Sequence, residues 1–416
     1  MLKVDIISFS INTGGAGIAA NSFKNLLLNR KSKFDINLIT QDKAGKYQFL
    51  KRLVSYILNK FQFDGNPTKH SLNFFSYNPV LNRFKHNSNN ISHIHWINNE
   101  TLSIFDLHKI PRGSIITLHD EWFYCGSEHY YNITDESNDF INGYKYYKKG
   151  IKGIHWNYLI WKVKHKKLTD RKDLIYTVPS SWMLQRAQSS KILKNSDIRL
   201  LPNPIDTEKF ISPTESCINS FKSKLNINND SFVIVYGAIS GNKNKLKGID
   251  LLTDAVNLLK QKILNLPNSH ITVIDFGGLK NDFESNGFRA ISLGHINDSK
   301  YLANLYSSAD CVVVPSKVEA FGQVAAEALS CETPVISFDT SGLKDIVKHN
   351  FNGLVAKTFS AESLFEQLLK MIQLPEDVRL KMGKNGRQHI LKSFSKIVIK
   401  NKYIEIMDAA AKLKKV

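Results

Sequence analysis

Cysteine is scarce in this chain: Cys125, Cys217, Cys311 and Cys331 are the only four in 416 residues, and no two form a C-x-x-C pair. A disulfide framework and a zinc finger are thereby excluded, and a reducing compartment is expected. Long apolar runs are also missing, and none approaches the roughly 18 residues of a membrane-spanning helix. Residues 1–9 alternate and run straight into a glycine-rich turn, without the apolar core and cleavage site of a signal peptide. Neither a zinc finger, an RNP-like string nor a basic heptad region is present, so nucleic acid is not the expected partner. No D-x-D pair occurs, the usual hint of a divalent metal on a diphosphate. Repeats and low-complexity tracts are absent as well. Acidic residues are in deficit, with 37 Asp and Glu against 56 Lys and Arg, a formal net charge of +19. Such a balance calls for an acidic partner: nucleic acid, an anionic membrane face or a phosphorylated substrate.

The length favours two domains of similar size, and 42% hydrophobic content is ample for both. Short β-branched runs alternate with helical spacings, the pattern of α/β units with parallel sheets. The most informative stretch is 311–338, CVVVPSKVEAFGQVAAEALSCETPVISF. It reads as a buried strand, a loop, a helix from about Gly322 to Cys331, and a second buried strand. In parallel sheets ligands collect at the carboxyl ends of strands, where Glu319 falls. Glu327 lies further along the helix, so the two carboxylates are no adjacent acid pair and touch different parts of one elongated ligand. The N–H groups of Phe321, Gly322 and Gln323 are expected as free donors at the helix start. Taken alone, the pair reads first as a solvated helix charge and a polar-face residue.

The full string decides between these. Its Pro-Ser, Glu-Ala-Phe-Gly, Glu-Ala-Leu and Thr-Pro-Val-Ile elements closely resemble the signature of glycosyltransferase family 4, retaining nucleotide-sugar enzymes of the GT-B fold. The resemblance implies an α/β chain of two Rossmann-like domains with parallel sheets facing across a cleft, and a C-terminal helix crossing back to the first domain. Expected boundaries are 1–208 for the acceptor domain, 209–229 for a hinge, 230–392 for the nucleotide-sugar domain and 393–416 for the returning helix. By the same resemblance Glu319 contacts the transferred sugar and Glu327 the nucleotide ribose, with Ala320, Phe321 and Gly322 beside the donor. Gly14 and Gly15 match a Gly-Gly loop beside the donor phosphates. His119, in a Thr-Leu-His-Asp setting, contacts the donor sugar. Asp120 orients that imidazole or meets the acceptor, with Trp122 and Tyr124 on the acceptor side. Lys247, before Gly248, matches a diphosphate-binding Lys-Gly element. The family's Arg in that loop is missing, so Lys243 or Lys245 substitutes for it. Pro204 and Glu332 stand where the family has Gly, and Glu332 costs about 1 kcal/mol if its turn needs a positive φ.

The implied activity is transfer of a hexosyl group, with retention, from a nucleotide-diphosphate sugar to a growing, lipid-linked surface oligosaccharide of O-antigen, colanic acid or capsule type. No cofactor and no metal are expected, the donor being a substrate. The expected partners are the donor, the glycan acceptor and an anionic membrane surface, at the inner face of the cytoplasmic membrane. The alternatives are a catalytically impaired nucleotide-sugar-binding scaffold of the same fold and, behind it, a nucleic-acid binder. Two further stretches bear on the membrane. Tyr47, Leu50, Val54, Ile57, Leu58 and Phe61 form one helical stripe, expected to face the core, with an interfacial role left open by the surrounding lysines. Residues 144–172 interleave lysines with Tyr144, Tyr146, Tyr147, Trp156, Tyr158 and Trp161, a composition suited to anionic headgroups or, less well, to single-stranded nucleic acid. His93 and His95 share one strand face and are expected to be buried and hydrogen-bonded rather than metal ligands.

Overall fold

The computed structural model describes residues 2–28, 34–86, 89–132, 135–148, 150–228, 230–237, 244–263, 270–277, 283–285 and 288–415. They fall into two compact units, Met1–Pro204 with Ile399–Val416, and Ile205–Val398.

The first unit holds strands β1 (Leu2–Ile7), β2 (Phe34–Ile39), β3 (Gln62–Phe63), β4 (Ile91–Ile94), β5 (Ile115–Thr117), β6 (Lys152–Gly153), β7 (Ile175–Val178) and β8 (Asp197–Leu200). Its helices are α1 (Gly14–Leu27), α2 (Lys46–Asn59), α3 (Asn78–His86), α4 (Asp139–Asn142), α5 (Trp156–Leu168) and α6 (Ser181–Ser189). Six strands make a parallel sheet in the order β2-β1-β4-β5-β7-β8, and β3 pairs antiparallel with β6 in a small ribbon. The sequence alone reads residues 174–178 as the last strand of this half. In fact β8 follows it, a half-buried edge strand of four residues, Asp-Ile-Arg-Leu, whose alternation is too short to stand out.

In the second unit the strands are β9 (Phe232–Gly237), β10 (Ile271–Phe276), β11 (Phe283–Ser285), β12 (Phe288–Ser292), β13 (Cys311–Val314), β14 (Val335–Phe338) and β15 (Gly353–Ala356). The helices are α7 (Glu215–Lys224), α8 (Ile249–Ile263), α9 (Ser299–Ser307), α10 (Gln323–Ser330), α11 (Leu343–Ile346), α12 (Ala361–Gln373) and α13 (Glu376–Phe394), and α14 (Lys396–Lys415) closes the chain. The sheet order is β11-β12-β10-β9-β13-β14-β15, parallel except for β11 against β12. Side chains of successive strand residues point to opposite faces, so both faces of a central strand need cover. Val233, Val235, Val312, Val314 and Val335 pack with α9, α10 and α13 on one face. Ile234, Cys311, Val313, Ile336 and Phe338 pack with α8 and α12 on the other.

Three expectations are corrected here. Residues 209–229 are no hinge: α7 lies within them, and Phe210, Phe221 and Ile227 are buried in the second unit's core. Three apolar anchors in a polar stretch are too few to show a period. The stripe on α2 does not face the core. Tyr47 is 73% exposed, Leu50 54% and Ile57 49%, while Gln48 and Ser55 are the buried residues. Finally, the aromatic-basic stretch 144–172 is not one exposed face. Tyr144, Trp161 and Lys164 are buried, Lys164 donating to the carbonyls of Trp122 and Gly126. Tyr146 and Tyr147 remain exposed.

The closing helix is shared by the two segments of chain. From Ile399 onward it belongs to the first unit, where Ile399, Tyr403, Ile406 and Met407 pack with Val4, Ile6 and Phe23.

Candidate active site

In the second unit, Pro315 ends β13 and the chain loops to α10, which starts after Gly322 at φ 109°. Two ties bring Lys247 to this loop. Lys317 N–H donates to the Leu246 carbonyl at 2.8 Å. Gly248, at φ 65°, lies so close to the loop that a Cβ there would be 1.9 Å from Pro315 O. Lys247 Nζ therefore reaches Glu319 Oε1 at 2.5 Å, and Ser316 Oγ donates to the same oxygen at 2.8 Å. From the β14 side, Glu319 N–H donates to Ser341 Oγ and Gly342 N–H to the Glu319 carbonyl, both at 2.9 Å. Glu319 is thus held at backbone and carboxylate while its side chain stays 18% exposed. A cation, a carboxylate and a hydroxyl converge at the carboxyl edge of a parallel sheet, where ligands of such sheets bind.

Glu327 sits in a different environment. Its oxygens accept from Gln323 Nε2 at 2.8 Å and Tyr306 OH at 3.2 Å, with no cation beside them among the described residues. Burial pushes its carboxyl up to about 7, and the two hydrogen bonds only partly offset that.

Phe321 is a core side chain, 3% exposed and edge-on to Phe394 at 5.5 Å, so only its backbone can meet a ligand. Gly322 is required by its φ and by Leu343, whose Cδ2 would lie 2.8 Å from a Cβ. Having no side chain, it caps none of the first N–H groups of α10. Ala320 is half-buried beside it, and Lys245 is exposed on the turn that carries Lys247. Lys243 lies outside the described residues.

The first unit presents its own constellation at the carboxyl ends of β1, β4 and β5, which lie side by side in register. Gly14, at φ 72°, opens α1 there. Around Gly14 and Gly15 nothing lies within 4 Å of where a Cβ would be, so the protein's own packing does not demand a glycine at 15. His119 follows β5, and its Nε2 meets His95 Nδ1 at 2.9 Å. Burial drives the His119 imidazole down to about 4 against the pull of Asp120, and burial also lowers His95, so both rings are neutral at neutral pH. His95 Nε2 is buried without a partner among the described residues. A buried orphan acceptor is more tolerable than a buried orphan N–H. His95 therefore keeps its proton on Nδ1 and donates it to His119, which must carry its own proton on Nδ1.

Asp120 does not orient His119. Its carboxylate accepts from His129 Nδ1 at 2.5 Å, Trp96 Nε1 at 2.8 Å and Trp122 N–H at 3.0 Å. Trp122 and Tyr124 are fully buried, bonded to the Ser71 carbonyl and to Glu121 respectively. All three are structural members of the first unit, not groups facing an acceptor. The aromatic run after His119 resembled a cleft lining because burial is invisible in so short a stretch. Motif reading gave neither His95 nor Ser341 a part in the site; the sequence marks His95 only as a buried, hydrogen-bonded strand histidine, and its burial and its bond to His119 bear that out.

His93 is held by Tyr403 OH at 2.5 Å and Thr117 Oγ1 at 2.7 Å. Among the described residues no group of three or more His, Cys, Asp or Glu side chains is placed to hold a metal ion.

Two doubly wound α/β units, each with polar side chains at a carboxyl sheet edge, define the GT-B architecture. Residues 218–389 match the family model described as Glycosyl transferases group 1. An uncharacterised glycosyltransferase of Methanocaldococcus jannaschii is 31% identical over 182 residues, 40% of this chain and 45% of that protein. The capsular polysaccharide biosynthesis glycosyltransferase CapM of Staphylococcus aureus is 26% identical over 51% of this chain and 55% of its own. The chain spans about half the length of these curated relatives. Among solved structures, HepE of Anabaena with UDP-glucose superposes with a TM-score of 0.61 at 15% identity, over 98% of this chain and 100% of that one. That likeness establishes the fold, and with the family match it bears out the resemblance read from the signature string.

Proposed function

We propose that the protein is a glycosyltransferase that moves a hexosyl group, with retention, from a nucleotide-diphosphate sugar to a growing, lipid-linked surface oligosaccharide. The observation that carries this reading is the convergence of Lys247, Glu319 and Ser316 at the carboxyl edge of the second unit's sheet. Departure of a nucleoside diphosphate from an anomeric carbon builds negative charge on the leaving oxygens. Lys247 and the uncapped N–H groups of α10 would meet that charge without a metal. Glu319, released from Lys247 as the diphosphate takes the ammonium group, would accept from hydroxyls of the transferred sugar. Glu327 would accept from the nucleotide's ribose hydroxyls in place of Gln323 and Tyr306. His119, protonated on Nδ1, would donate to a sugar oxygen. That solved HepE holds UDP-glucose supports a UDP-sugar as the first donor to try.

The test is release of nucleoside diphosphate from a panel of nucleotide-sugars by wild type, Glu319→Ala and Lys247→Ala, with product configuration read by NMR. Each variant is expected to lose about 10²-fold or more in turnover, the usual effect of deleting one transition-state-stabilising group. No turnover by wild type, with Glu319→Ala indistinguishable from it in nucleotide binding, would overturn the proposal. Tight binding without turnover, lost in the variants, would favour the sugar-nucleotide-binding scaffold.

A further inference from the structure

In the second unit Asp339 follows β14, and Lys357 and Thr358 follow β15, so they mark the carboxyl ends of the last two strands of the sheet. Between these residues and the end of α11 lies a cleft of about 670 Å³, within the roughly 300–1,000 Å³ of small-molecule sites. Val347 and Val355 give it an apolar wall, and Lys344, Lys348, His349 and Lys357 line the rest. Asp339 is its one carboxylate among the described residues. The donor constellation lies elsewhere on this sheet edge, since Lys247 and Glu319 sit on the connections that follow β9 and β13.

The basic groups stand on a fixed support. Asn352, fully buried, accepts from Lys348 N–H at 2.7 Å and donates to the Ile346 carbonyl at 2.9 Å, which sets the turn after α11. His349 Nδ1 accepts from Val355 N–H at 2.9 Å, so the neutral ring carries its proton on Nε2 and can donate it. The two strand ends are laced together: Asp339 N–H donates to the Ala356 carbonyl at 3.1 Å, and Thr358 Oγ1 to the Asp339 carbonyl at 3.2 Å. Lys348 Nζ donates to the Lys344 carbonyl at 2.6 Å. Among the described residues Lys357 is bonded only through its backbone, which leaves its ammonium group free.

Charge and shape choose the occupant. Like charges gathered in one cleft repel, and an anion lying among them relieves that repulsion. The pair of Lys344 with Asp339 is 3.1 Å long with side chains 53% and 57% exposed, weak enough to open for a stronger anion. Three ammonium groups and an imidazole N–H around a concavity match the outward oxygens of a phosphate monoester. The flat, two-oxygen edge of a carboxylate is met better by an arginine fork, and no arginine lines the cleft among the described residues. The space left against Val347 and Val355 admits a body the size of a monosaccharide.

We propose that this cleft binds a small phosphate monoester of the size of a sugar phosphate, at a site separate from the donor's. The site does not depend on the donor chemistry proposed above. Its test is calorimetric titration of the full chain, in the presence of saturating UDP, with glucose 1-phosphate, with inorganic phosphate and with glucose as the uncharged control. Wild type should bind both phosphates and not glucose. The double variant K348Q/K357Q should weaken that binding about tenfold or more, the usual effect of losing a hydrogen bond to a charged group. Both side chains are exposed, so its circular dichroism spectrum and its UDP affinity should stay those of wild type. K381Q/K384Q, which removes two exposed lysines of α13, should bind as wild type does. Absence of phosphate binding, its loss when UDP is added, its persistence in K348Q/K357Q, or equal weakening by the two double variants would each overturn the proposal. A chain that binds glucose 1-phosphate through Lys348 and Lys357 but no UDP would overturn the donor site alone, so the two failures are distinguishable.

Discussion

A buried carboxyl without a cation beside it makes stability depend on pH, and Glu327 is such a group. Its pKa rises from 4.5 to about 7 because burial penalises the charged form. The folded state therefore binds the proton more tightly than the unfolded chain. Below the unfolded value both states are protonated and the group costs nothing. As pH rises toward 7 the unfolded chain ionises first, and above 7 the folded protein carries the whole penalty, about 3 kcal/mol at 1.4 kcal/mol per unit. Glu327→Gln keeps the shape and removes the charge. Its melting temperature should exceed that of wild type at about pH 8 and equal it at about pH 4. Nucleotide affinity should fall in the same variant, because an amide is a poorer acceptor for ribose hydroxyls. An equal shift at both pH values would mean that packing, not ionisation, governs the site. A residue that lowers stability at working pH is a reasonable mark of one kept for binding.

At the scale of elements, the turn between α10 and β14 is where the chain departs most visibly from the pattern of the family it resembles. Glu332 occupies it at φ 63°, the left-handed region that a side chain disfavours. The turn is also crowded, since a Cβ on Gly383 of α13 would lie 1.8 Å from Glu332 O. Glu332→Gly should stabilise the protein by about 1 kcal/mol, because the ion pair it gives up, to Arg387 at 3.8 Å, is weak. Gly383→Ala should act with the opposite sign, and denaturant titration of the two variants checks both. This turn was legible in the sequence from a single residue, and so were β13, β14 and the loop with Glu319, because buried parallel strands and a motif-bearing βα loop leave dense local signals. The orientation of α2 was not. Periodicity gives a stripe but not its direction, and the direction here was fixed by carbonyls of Glu100, Ser76 and His70, remote in sequence. The same limit explains Trp122, whose indole N–H donates to the Ser71 carbonyl, remote in sequence. Among the supporting residues, His95 was visible as a buried, hydrogen-bonded strand histidine, but its bond to His119 required the register of β4 against β5.

For the whole molecule, the consequence is that one chain carries two compact units, each with its own hydrophobic packing, one of them closed by a helix from the far end of the sequence. Units of this size each support a cooperative transition of their own, so a single unfolding free energy does not describe the protein. Calorimetry should resolve two transitions with separate responses. A nucleoside diphosphate at about a hundred times its dissociation constant adds about 2.7 kcal/mol to the unit that binds it, enough to move one transition by several degrees. Tyr403→Phe should move the other. It leaves His93 Nδ1 buried without its partner in the first unit, a loss of about 1–3 kcal/mol. The pairing of each perturbation with a different transition would show that donor recognition resides in the second unit and that the returning helix secures the first. A nucleotide that raised the transition sensitive to Tyr403→Phe would place recognition in the wrong half of the chain, and the roles given to Lys247, Glu319 and Glu327 would fall with it.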